Sequence, residues 1–172
     1  VNTGEEQVVK QETYRNMTER IRQSKSLCSI IIWTDRILTR VTYLVYPAFL
    51  AALFMRKEPG LLQALLVPGI SFVLLSLFRR IYNAPRPYEV FGLPSVISKE
   101  TKGKSFPSRH VFSIFIIAIT IYYYNPPFGL AVSAAGTLLA VVRVLGGVHF
   151  TKDVITGAAV GIVCGLIGYS IF

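Results

Sequence analysis

Residues 111–145 read VFSIFIIAITIYYYNPPFGLAVSAAGTLLAVVRVL. Two apolar runs, Val111–Tyr124 and Phe128–Leu145, are separated only by Asn125-Pro126-Pro127, a turn in which prolines forbid a continuing helix. The second run has 18 residues with Arg143 as its single charge, and the first extends to 17 if its helix begins near Ser108. Both approach the ~20 residues needed to cross a bilayer core. Tyr122, Tyr123 and Tyr124 before the turn read as an aromatic belt at the far interface. The stretch crosses a membrane and returns, so whatever precedes Val111 shares a membrane face with whatever follows Leu145.

Three further runs lie outward from this pair: Ile37–Met55, Leu61–Phe78 and Val154–Phe172, each of 18 or 19 residues with at most one charge. Hydrophobic residues make up 52% of the 172 and mean hydropathy is +0.52, too apolar for an ordinary soluble domain. The expected fold is an all-α polytopic membrane helical bundle with about five spanning helices. Pro47 and Pro68-Gly69 are expected to kink the first two. A polar segment, residues 1–36, precedes the membrane-embedded domain, residues 37–172. In it Tyr14, Met17, Ile21, Cys28 and Ile31 recur at helical spacing among Arg15, Arg20, Arg22 and Lys25, the pattern of an amphipathic interfacial helix. No cleavable signal peptide is expected ahead of the first run, because that polar segment stands there. Cys28 and Cys164 do not suggest a disulfide framework, and two cysteines with two dispersed histidines do not suggest a zinc site.

The formal charge is +9, yet the basic residues crowd beside apolar spans. That favours anionic lipid headgroups or phosphate substrates and sets nucleic acid aside. Residues 79–110 carry Arg79, Arg80, Arg86, Lys99, Lys102, Lys104 and Arg109 against Glu89 and Glu100, while Pro85, Pro87 and Pro94 exclude a continuous helix. A long cationic loop on a membrane protein is either an anion site or a grip on anionic lipid. It ends in Pro107-Ser108-Arg109-His110, where Ser108 is placed as an N-cap whose own and neighbouring backbone N–H groups would face an anion.

Beyond Leu145 the chain reads Gly146-Gly147-Val148-His149-Phe150-Thr151-Lys152-Asp153. If helical, it sets the Asp153 carboxylate one turn from His149, able to hold one ring nitrogen and leave the other as a lone pair. Such a pair is also a common structural hydrogen bond. With Arg143 as an anion clamp and Gly146-Gly147 allowing close backbone approach, the segment suggests phosphoryl chemistry. Five crossings place Arg79, Arg86, Ser108, His110, Arg143, His149 and Asp153 at one membrane face, which favours the catalytic reading over the structural one.

The set resembles the type 2 phosphatidic acid phosphatase family, whose pattern is Lys-x6-Arg-Pro, Pro-Ser-Gly-His and Ser-Arg-x5-His-x3-Asp. Here the matching residues are Arg79 with Arg86-Pro87, then Pro107-Ser108-Arg109-His110, then Val142-Arg143, His149 and Asp153. The departures are Arg79 for Lys, Val142 for Ser and Arg109 for Gly. The resemblance implies an integral-membrane, metal-independent lipid phosphatase without cofactor. His149 would be the nucleophile, oriented by Asp153, and His110 the acid and then the base. Arg79, Arg86, Ser108 and Arg143 would bind phosphate, with Arg109 at the site rim as a further anion contact. Phosphatidic acid, phosphatidylglycerol phosphate and undecaprenyl diphosphate are candidate substrates. The competing class is a non-catalytic membrane protein that binds anionic headgroups, which leaves His110, His149 and Asp153 without a role. Family habit places the site outside the cytoplasm, although a count of basic residues favours the opposite side. Gly157, Gly161 and Gly165 form a small-residue ridge, for packing within the chain or between two copies as a homodimer.

Overall fold

The computed structural model describes residues 3–99 and 101–171. The loop charge of Glu100 and the last run's terminal Phe172 fall outside them. Seven helices are described: α1 Thr3–Gln23, α2 Lys25–Met55, α3 Leu61–Tyr82, α4 Pro87–Phe91, α5 Arg109–Tyr124, α6 Pro126–Leu145 and α7 Thr151–Ile171. The chain is a multi-pass helical bundle: α2, the α3–α4 stretch, α6 and α7 are long and apolar enough to cross a membrane, and α5 is a shorter apolar helix.

That shortness is compensated by position. At ~1.5 Å per residue its 16 residues reach only about 24 Å, less than a bilayer core. However, α5 stands at the centre, packed mainly on α6 and α7 and also on α2 and α3. Val111, Phe112, Ile114, Ile116, Ile117, Ala118 and Ile121 are all buried, so a helix apolar all round has protein on every side. The outer helices turn residues such as Leu44, Phe54, Leu74, Leu130 and Val163 outward, where lipid rather than water is the natural solvent.

The ridge of Gly157, Gly161 and Gly165 faces inward, which removes the homodimer expectation for that surface. A Cβ on Gly157 would lie 2.7 Å from the Ser108 carbonyl oxygen, and one on Gly161 2.7 Å from that of Phe112. Close backbone contact with α5 therefore uses up the ridge. Gly161→Ala is expected to destabilise the protein by about 1–3 kcal/mol, the usual cost of overpacking. Gly69→Ala, where nothing lies within 4 Å, should not. Thermal unfolding of both variants in one detergent checks this.

The N-terminal segment divides earlier than its polarity suggests. Ser24 breaks the helix and accepts from the Leu27 N–H, so residues 25–36 belong to the first spanning helix. At 31 residues, α2 projects well beyond a bilayer core and brings Asp35 to the level of the site loops. The amphipathic α1 settles its apolar side on those same loops. Tyr14, Thr18 and Ile21 are buried; Tyr14 Oη donates to Gly147 O at 3.2 Å, Gln11 to Phe91 O at 3.2 Å and Arg22 to Ser95 O at 3.1 Å. Both cysteines are free.

Candidate active site

The two loops expected to share a face do meet. Val96 and Ile97 N–H groups both donate to Gly146 O, and Arg86 Nη1 donates to Val148 O at 3.1 Å. At the opposite end Tyr124 Oη donates to Gly60 O at 2.8 Å, tying α5 to the α2–α3 turn.

Local chemistry shapes the first motif. Asn83 ends α3 in a left-handed conformation (φ 43°), and the chain runs extended to Arg86, whose own N–H donates to Glu89 Oε2 at 2.8 Å as α4 begins at Pro87. Both Glu89 oxygens also accept from Gly103 N–H, which folds residues 101–108 back across the site. Arg79 then donates to the carbonyls of Ser105 and Lys104, and Arg86 to those of Gly103, Lys104 and Val148. Backbone oxygens hold both guanidiniums while leaving each with further donors.

His149 and Asp153 are paired, by a route other than the expected one. The residues before Thr151 form a turn, not a helix. Asp153, in the first turn of α7, accepts the Phe150 N–H at 3.1 Å, so helix capping swings the carboxylate back to His149. His149 Nδ1 lies 3.4 Å from Asp153 Oδ2, a loose contact of the kind that tightens on substrate binding. Ser105 Oγ donates to the same oxygen at 2.5 Å. A carboxylate that already accepts from the Phe150 N–H and Ser105 Oγ favours the tautomer with its proton on Nδ1, which leaves Nε2 as the lone pair. Burial, with the guanidiniums of Arg86 and Arg143 nearby, pushes the His149 imidazole down to about 4, which keeps it neutral at physiological pH.

Ser108 caps α5, but its N–H goes to Asp153 O at 2.8 Å and is not available to an anion as expected. Its hydroxyl is fully buried and without a hydrogen-bond partner among the described residues, a cost that a ligand would remove. Gly146 and Gly147 likewise serve packing: Gly146 O receives the loop, and Gly147 (φ +73°) sits under Tyr14. His110 opens α5, with Arg143, Lys99, Arg109 and His149 as its electrostatic neighbours. Arg109 is exposed, with its guanidinium 5.6 Å from the centre of the Phe72 ring. It lines a narrow cavity of about 20 Å³ together with His110. On the other side a largely apolar cleft of about 1010 Å³, walled by Tyr14, Met17, Pro87, Phe91 and Phe106, reaches His149 and Asp153.

Three residues were missed. Ser105 and Lys99 are in the cationic loop but carry no motif signal. Asp35 looked like part of a polar leader, yet its Oδ1 lies 3.0 Å from Arg143 Nε. The Lys99 ammonium is pushed down to about 8, first by burial and then by Arg143 and Arg86. Among the described residues no three His, Cys, Asp or Glu side chains come together as metal ligands would.

A family model described as the PAP2 superfamily matches residues 60–172, from the turn before α3 to the last residue. LpxE of Aquifex aeolicus is similar in structure, with TM-score 0.72 and 23% identity over 92% of this chain and 93% of that one. The crystal structure titled the first transmembrane PAP2 type phosphatidylglycerolphosphate phosphatase from Bacillus subtilis gives TM-score 0.61 and 19% identity, covering 96% and 94%. At such identities the likeness speaks for the fold. No curated protein matches the chain by sequence.

Proposed function

The chain belongs to the PAP2 superfamily, and from that premise we propose that it is a lipid phosphatase that hydrolyses a phosphomonoester or diphosphate of a membrane lipid through a phosphohistidine. The observation that carries this reading is charge. Among the described residues, Arg79, Arg86 and Arg143 are buried near His149 with Lys99 and Arg109 beside them, five cations against the nearby carboxylates of Asp35, Glu89 and Asp153. Buried cations in excess need an anion, and a phosphate beside a neutral imidazole has a nucleophile waiting.

In this mechanism His149 Nε2 attacks phosphorus, forming the P–N bond as the P–O bond to the leaving group breaks. His110 gives its proton to the departing oxygen. It then takes a proton from the water that attacks the phosphohistidine, which releases inorganic phosphate and restores His149. The three arginines hold the equatorial oxygens as charge spreads over them, and Ser108 Oγ gives its unused hydrogen bond. These guanidiniums supply the charge stabilisation that a metal ion supplies elsewhere, so the reaction is metal-independent. The apolar cleft beside His149 gives room for the non-reacting part of a lipid.

Phosphate release in the presence of EDTA, on a lipid monophosphate and a prenyl diphosphate, tests this reading. Activity lost with EDTA and restored by metal would overturn metal independence; no release from either substrate would favour the headgroup-binding class. Arg109, at the rim, is proposed to contact a second anionic group. Arg109→Gly should therefore weaken the diphosphate by roughly ten- to a hundredfold and spare the monoester. The family habit supports a site outside the cytoplasm, against the count of basic residues, and the same assay in sealed right-side-out vesicles tests the face.

The pH profile follows from Lys99 and His149. kcat/KM should fall below about 4, where His149 gains a proton, and again above about 8, where Lys99 loses one and the site loses a cation. Between about 8 and the ordinary lysine value of 10.5, the unfolded chain retains the proton that the folded chain has released. Stability of the empty protein therefore rises with pH through that window while phosphate affinity falls. Lys99→Gln should remove the inflection near 8 and leave the limb set by loss of the His110 proton; an inflection near 8 that survives would remove Lys99 from the site.

A further inference from the structure

The acid that meets Arg143 comes from outside the region matched by the family model. Asp35 lies on α2, and its carboxylate is 3.0 Å from Arg143 Nε, with side-chain exposures of 12% and 4%. One helical turn on, Thr39 Oγ1 accepts from Arg143 Nη2 at 3.3 Å. Two groups of one helix thus grip the inner edge of this guanidinium. Arginine offers five N–H donors in a planar fork, so a grip on Nε and one Nη2 hydrogen still leaves three donors for an anion. The other two site arginines are held by backbone carbonyls, so Arg143 is the one whose aim depends on another helix's side chains. The Nε contact is ionic but off the line that a hydrogen bond needs. It is therefore able to tighten when the guanidinium is drawn into place.

We infer that Asp35 is a positioning residue, which with Thr39 aims Arg143 at the phosphoryl group and makes α2 part of the active site. A carboxylate left buried in a cationic site opposes anion binding electrostatically. Its presence against Arg143 is explained if orientation gains more than the added negative charge costs. Docking α2 onto α6 alone would explain the pair equally by geometry, so the two roles must be separated by ligand affinity and not by stability.

The inference rests on the phosphatase reading for what the site does, but its test does not need turnover. Inorganic phosphate binding, followed by the ligand-induced rise in unfolding temperature, is measured for wild type, Asp35→Asn, Arg143→Ala and the double variant. Asp35→Asn is expected to weaken phosphate about tenfold and to lower kcat/KM by roughly ten- to a hundredfold, the usual loss when a group supporting an active-site ligand is removed. In the Arg143→Ala background the same change should alter phosphate affinity less than about twofold, because a residue acting through another is silent once its partner is gone. Phosphate bound as tightly as in wild type, or more tightly, by Asp35→Asn would overturn the inference, since charge removal alone predicts that result. An undiminished effect in the Arg143→Ala background would overturn it too. Should Asp35→Asn not fold, Thr39→Val keeps the charge and removes the second tether; about tenfold weaker phosphate is expected, and unchanged affinity overturns the idea. Wild-type protein that binds phosphate without hydrolysing any lipid phosphate would remove the phosphatase reading, while the affinity comparison still judges Asp35.

Discussion

His149→Ala is expected to lower turnover by at least about 10⁴-fold, the scale seen when a covalent nucleophile is deleted, while leaving a folded protein that still binds phosphate. The expectation comes from the imidazole's setting: buried, its Nδ1 against an Asp153 carboxylate that Ser105 also supports, and with Arg86 and Arg143 as charged neighbours. The arginines do not depend on His149 for their support, because backbone carbonyls and Asp35 hold them. Quenching in alkaline denaturant after mixing with a phosphate-labelled substrate should trap a base-stable adduct in wild type, which acid then releases, and none in the variant. Near-normal activity in His149→Ala would refute the whole assignment.

His110→Ala should behave differently. A general acid contributes about 10²–10⁴-fold, and most where the leaving oxygen is a poor one. An alkyl lipid phosphate should therefore lose most of that factor in the phosphorylation step, and a nitrophenyl phosphate much less. Because the same imidazole activates water, the adduct should accumulate in the variant with the nitrophenyl ester. Rapid-quench measurement of both substrates decides. Equal losses in phosphorylation rate would make His110 a structural residue at the head of α5.

The residues proposed for the reaction could be picked out in the sequence because their spacing is local chemistry. Arg79 and Arg86 flank a proline turn, Ser108 and His110 open a helix, and Arg143, His149 and Asp153 span one glycine-rich turn. Even there the local geometry was misjudged. The spacing of four between His149 and Asp153 suggested a helix, whereas the pair forms because Asp153 caps the start of α7. Ser105 was invisible, since its hydroxyl becomes meaningful only when Glu89 folds residues 101–108 back over the site. Lys99 was one cation among seven in its loop until burial distinguished it.

By itself the sequence determined the class of fold and which two loops meet at one end of the bundle. Apolar runs of bilayer length must become helices, because lipid offers unpaired backbone groups no partner, and alternating crossings then sort the loops by parity. Tertiary structure decided which side of each helix looks where. The glycine ridge of α7 could serve a second copy or α5 equally well by composition. Only the inward path of α5, with backbone oxygens 2.7 Å from where a Cβ would be, assigns it to the core. Asp35 likewise could be a solvated acid in a polar leader or the partner of a buried arginine. Sequence separation of more than a hundred residues carries no distance information, and packing of α2 against α6 makes it the latter.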